Sequence, residues 1–106
     1  MEAFEFIPDL MTLVGDAPTE SIVSRAFFRG EKANAILFGF AAGQELSEHT
    51  ASHPAILHFL SGEARLTLGE EVKMAKAGTW VHMPAHLPHA ILAQTPVTML
   101  LLLLKS

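Results

Sequence analysis

The sequence predicts an all-β antiparallel sandwich or barrel of the jelly-roll type, and three observations lead there. Short apolar runs rich in β-branched and aromatic residues recur along the chain. Turn signals separate them every 8 to 12 residues or so, and no stretch of about ten residues needs a helical period. That amounts to roughly eight to ten short strands, as sandwiches and small barrels use. At 106 residues the chain is long enough for one core without disulfide or metal staples and too short for a second domain.

The first 20 residues read as an arm. Phe4 to Ile7 is a short apolar piece, and Pro8 to Val14 either begins one helical turn at Pro8 or stays irregular until Gly15, Asp16 and Pro18 end it. Ile22, Val23, Ala26, Phe27 and Phe28 then mark a strand, a turn follows at Gly30, and Ala33 to Ala41 is the next strand. Ala42, Gly43 and Gln44 break it. The clearest hairpin comes next: Ala55 to Leu60, the turn Ser61 and Gly62, and Glu63 to Leu68, where Arg65 and Thr67 alternate with Ala64, Leu66 and Leu68. After a turn at Gly69 and Glu70, Val72, Met74 and Ala77 read as the apolar side of a strand against Lys73 and Lys76. Thr79 to Met83, Ala90 to Ala93 and Val97 to Leu104 complete the set.

Half of the residues are apolar and 17% are charged, against about a quarter in an average domain. Ala55 to Leu60 and Val97 to Leu104 are apolar on both faces, although a strand with one wet face alternates. Both faces then need cover, and a homodimer that pairs outer sheet faces or edges supplies it. The net charge of −4 and the scattered basic side chains exclude nucleic acid as a natural partner. No cysteine is present, which removes disulfides, thiolate metal sites and thiol nucleophiles. The first six residues carry two acids and no base, unlike a secretory signal, and the apolar run from Met99 to Leu104 is far short of the ~20 residues a bilayer needs. The expectation is a soluble cytoplasmic protein with no membrane partner.

All six histidines, at 49, 53, 58, 82, 86 and 89, lie between Gly43 and His89. They fall in two blocks, one running from Gly43 through His49 and His53 to Gly62, the other from Gly78 through His82, Pro84 and His86 to His89. At this point the chain resembles the cupin superfamily, in particular its small single-domain members. The family's first motif is a glycine, five residues, a His-x-His pair, a Glu three or four residues later and a closing glycine; Gly43, His49 and Gly62 match it. The second is a glycine, five residues, Pro-x-Gly, two residues and a histidine; Gly78, Pro84 and His89 match, with His86 where the motif has glycine. The resemblance covers roughly residues 33 to 104 of a single cupin-like domain and implies a double-stranded β-helix with a metal near the barrel interior.

Two usual ligands are missing, because Ala51 stands at the second histidine and Ala55 at the glutamate. His49 and His89 remain, and His53 or His58 is the candidate to complete a site for a divalent transition metal: zinc, nickel, iron, manganese or copper. Residues four apart in an extended strand are roughly 13 Å apart, so His49 and His53 share an ion only if Thr50, Ala51 and Ser52 bend. His58 has the parity opposite to Ala55 and needs a bulge to reach the interior. His82 reads as structural and His86 as a solvated loop residue. Ser47 and Ser52 lack a nucleophile elbow and an orienting aspartate, which argues against serine hydrolysis. Phe38, Phe40, Leu57, Phe59 and Trp80 are core by default and pocket-lining at most. The resemblance implies a small-molecule ligand in the barrel and metal-assisted oxygenase or isomerase chemistry. The alternative is a non-catalytic ligand-binding or sensor module without metal.

Overall fold

The computed structural model describes residues 3–106, and its nine strands are β1 (Ile22–Arg29), β2 (Ala33–Phe40), β3 (Glu45–His49), β4 (Ala55–Ser61), β5 (Ala64–Leu68), β6 (Glu71–Ala75), β7 (Trp80–Met83), β8 (His89–Ala93) and β9 (Val97–Leu104). They form two antiparallel sheets, one in the order β1-β2-β9-β4-β7 and one in the order β3-β8-β5-β6. Sequence neighbours pair only at β1–β2, β5–β6 and the links through β8 and β9 are long-range, as in a double-stranded β-helix. No helix among the described residues is long and apolar enough to cross a membrane.

The core lies between the sheets. Phe40, Leu57, Phe59 and Met99 from the first sheet meet Leu66 and Ile91 from the second, each at most 2% exposed and all in one cluster. Burying such a side chain is worth roughly 1.5–3 kcal/mol, so this inner layer sets the stability. The hairpin expected from Ala55 to Leu68 does not form: β4 and β5 lie in different sheets, and the link between them crosses from one sheet to the other at Gly62, whose φ of +86° is left-handed. A Cβ there would fall on the carbonyl of Pro96, because the Gln94–Pro96 turn is tied to this link through Glu63. Glycine is therefore required twice over.

The arm keeps its helical turn but moves it. The turn is a 3-10 helix over Leu10–Leu13, capped by the Asp9 carboxylate, which accepts from the Met11 amide at 3.0 Å, rather than one begun at Pro8. A second difference concerns β6. Val72 and Met74 are 49% and 58% exposed and only Ala75 is buried, so the apolar side expected there faces solvent. Glu71 and Lys73 occupy the row opposite Leu68 and Leu66 and pair with each other at 3.9 Å. Charge on the inner row of an edge strand discourages another strand from adding there.

The outer face of the first sheet is the other apolar layer. Register aligns Arg25, Leu37, Leu100, His58 and Trp80 in one row across all five strands, and Ala35, Leu102, Ile56 and His82 in the row beside it. β2, β4, β7 and β9 contain no Asp, Glu, Lys or Arg at all. Leu100, Leu102 and Ile56 stay half-buried and Trp80 is 58% exposed.

Candidate functional site

The site is made where β3 meets β8. Leu46 faces Ile91 and His49 faces His89, so three steps along β3 match two along β8. One extra residue is accommodated in β3, a bulge in all but name. Its consequence is decisive for the site. Leu46 and His49 have opposite parity in a regular strand, and the bulge returns both to the side occupied by Ile91 and His89. The two imidazoles then stand with centroids 4.2 Å apart and planes at 56°.

Each ring is oriented in the same way. His49 Nδ1 donates to the Ser47 carbonyl at 2.8 Å, and His89 Nδ1 donates to the Leu87 carbonyl at 2.9 Å. A carbonyl oxygen can only accept, so both Nδ1 atoms carry the proton. In the neutral rings the Nε2 lone pairs are left for a ligand, the outer-shell arrangement typical of metal-bound histidine. His89 is 7% exposed, while His49 lies at the surface, so the pair joins one dry ring to one wet one. No carboxylate comes within ion-pair distance of either ring among the described residues.

The neighbouring loops are tied to the pair. The amide of His86 donates to the Ala51 carbonyl at 2.7 Å, and the amide of Gly69 donates to the Pro88 carbonyl at 2.8 Å. His86, which replaces the motif glycine, adopts φ +69°. A side chain in that region costs roughly 1 kcal/mol, and histidine tolerates it better than most residues.

The remaining histidines do not join the pair. His53 lies half-buried on the loop before β4. His58 corrects its sequence reading: no bulge intervenes between it and Ala55, Leu57 or Trp80, so it points to the outer face of the first sheet beside Leu100 and Trp80. His82 shares that face, and His86 is exposed. Among the described residues no group of three metal-binding side chains is assembled. Phe40, Leu57 and Phe59 are core, and Trp80 is on the outside, so none of the four lines a barrel pocket. Sequence reasoning missed the carbonyls of Ser47 and Leu87; the only trace of them is that each stands two residues before a motif histidine.

The double-stranded β-helix and the paired motif histidines define a class. A cupin domain model matches residues 36–104, and the chain belongs to the cupin family. Among solved structures it is similar to a cupin superfamily protein from Desulfitobacterium hafniense DCB-2, with 27% identity over 92% of this chain and 88% of that one and a TM-score of 0.85. It is similar also to a conserved protein of unknown function from Streptococcus pyogenes, with 28% identity over 100% of this chain and 91% of that one and a TM-score of 0.85. The DMSP lyase DddQ from Ruegeria pomeroyi DSS-3 shares the fold at 22% identity, over 80% of this chain and 47% of that one, with a TM-score of 0.74. No curated protein matches the sequence significantly.

Proposed function

We propose that the protein binds a small molecule at the His49–His89 pair, with the two Nε2 atoms as ligands of a divalent transition metal. The observation that carries this reading is the matched pair of Nδ1 hydrogen bonds, which hold two imidazoles side by side with Nε2 free of protein partners. Two nitrogen donors suit zinc, nickel, iron, manganese or copper and leave the other positions to His53, water or the ligand itself. His53 completes the set when the Thr50–Pro54 loop turns its ring toward His49. A metal so held would supply Lewis acidity or dioxygen activation, which is the basis for isomerase or oxygenase chemistry, and the likeness of fold to a protein named as a lyase supports an enzymatic reading. Within this chain, Ser47 and Leu87 keep the rings in the metal-binding tautomer, and the buried side of His89 excludes water.

Elemental analysis of protein purified without an affinity tag tests the reading. The expected outcome is near-stoichiometric metal that is lost in His49→Ala and in His89→Ala, reduced in His53→Ala and unchanged in His58→Ala. Binding needs neutral imidazole, so retention falls as the pH is lowered. The donor count favours a second reading, a metal-free ligand-binding module, since two histidines hold an ion weakly. Metal well below one per chain after adding back each of the five ions selects that reading.

We infer also that the chain forms a homodimer through the part of the first sheet's outer face that carries Leu100, Leu102, Ile56 and Trp80, which leaves the Gly39–Thr98–Ser61 row outside the interface. It exposes 6565 Å². A monomer of this mass exposes about 5,800 Å². The excess approaches the ~800 Å² that each partner buries in a standard interface. Four of the five strands of this face carry no formal charge, and the fifth contributes Arg25, so no acidic side chain on the strands opposes a second copy of a chain with net charge −4.

A further inference from the structure

A second cleft lies on the other side of the first sheet from the histidine pair. Its floor is the row Gly39, Thr98 and Ser61, which follows the Leu37–Leu100 row along β2, β9 and β4. The arm roofs it with Met11, Asp16, Ala17 and Thr19, enclosing about 520 Å³. The arm packs against the floor, because Val14 lies within van der Waals reach of Gly39, 3.5 Å from where a Cβ there would stand. The adjoining chain is anchored by the amide of Ala41, which donates to the Ser21 carbonyl at 2.9 Å. The volume is within the range of small-ligand pockets.

Two features of the lining specify a ligand. Thr98 is 7% exposed, and its hydroxyl has no hydrogen-bond partner among the described residues. It is nonetheless not sealed in, since no buried side-chain polar atom there lacks a partner, so the hydroxyl opens on the cleft. A hydroxyl in such a place gains from a polar group that a ligand brings. The second feature is charge. Asp16 is the single ionisable residue of the lining, it lies at the exposed rim, and it has no ion-pair partner among the described residues. With no lysine, arginine or histidine in the lining, the cleft disfavours carboxylates and phosphates. Ala17, Ala41, Ala42, Pro96 and Val97 supply an apolar body to the site.

We propose that this cleft binds a small amphipathic amino alcohol, with its apolar part under the arm, its hydroxyl on Thr98 and its ammonium at Asp16. The site is independent of the histidine pair, because neither His49 nor His89, nor any other residue of β3 or β8, is in its lining. It does not rest on metal binding.

The test is an amide-resolved NMR titration of the full chain with 2-amino-1-phenylethanol and, as the anionic counterpart, 2-hydroxy-2-phenylacetate. Saturating shifts are expected at Gly39, Ala41, Ala42 and Thr98 with the amine and not with the acid. Thr98→Val should weaken binding about fivefold, the loss of one hydrogen bond. Asp16→Asn, at an exposed position that leaves the fold intact, should weaken it about threefold and narrow the preference over the acid. His49→Ala should leave binding unchanged. No saturable shift with the amine, shifts centred on His49 and His89, equal binding of the acid by the unaltered chain, or full affinity in Asp16→Asn would each overturn the proposal.

Discussion

The two sheets answer different demands. In the first, β4 and β9 are apolar on both faces, because one face meets the core and the other waits for cover. In the second, β3 and β6 are edge strands exposed over most of their length, and only single residues such as Leu46 or Ala75 reach the core. The largest buried side chains come mostly from the first sheet, and the histidine pair stands at the edge of the second. An edge strand can take a bulge because it has one neighbour to satisfy, and the bulge in β3 is what brings His49 to His89. A bulge in β9, paired on both sides, would disturb two ladders at once.

That contrast can be broken by substitution. Phe59→Ala, in the fully buried layer of β4, is expected to cost about 3–5 kcal/mol, seen as a lower midpoint in denaturant unfolding. His49→Ala, on the exposed bulged edge, should stay within about 1 kcal/mol while losing its metal. A comparable loss of stability in both would mean that the sheets are not divided in this way. Trp80→Glu leaves the monomer core untouched, because Trp80 is 58% exposed, and should weaken the dimer by about 2 kcal/mol, or thirtyfold. Light scattering across a dilution series reads this, and an unchanged dimer would move the interface off this face. The smallest effect is expected at His86→Gly, where relief of the left-handed conformation, partly offset by the freer unfolded chain, should raise stability by at most about 1 kcal/mol. Lower stability there would show that the His86 side chain has a supporting role.

Much of this was legible along the chain, and the parts that were not share a cause. β4, β5 and the turn at Gly62 were plain, since alternation and a turn glycine are local signals, but their pairing as a hairpin was not correct, because β4 pairs with β7 and β9 in one sheet and β5 with β6 and β8 in the other. β3 was the least distinct strand, because Gln44 to His49 is polar and lacks β-branched residues, which an edge strand with a wet face does not need. β6 was assigned the wrong apolar side for the same reason: at an edge, the inner row can face water and the pattern loses its meaning. The two motif histidines stood out by spacing, yet spacing could not choose between His53 and His58 as a companion.

By itself the sequence determined the all-β class, the cupin motifs, the left-handed turn at Gly62 and the apolar excess of β4 and β9. Each follows from composition or from contacts a few residues apart, which the chain carries wherever it goes. The tertiary structure alone decided that a bulge puts His49 on the face of His89, that His58 looks outward, that β6 turns its apolar side to solvent and that the arm roofs a cleft. These depend on register between strands far apart in sequence, and a shift of one residue in register reverses which side chains meet.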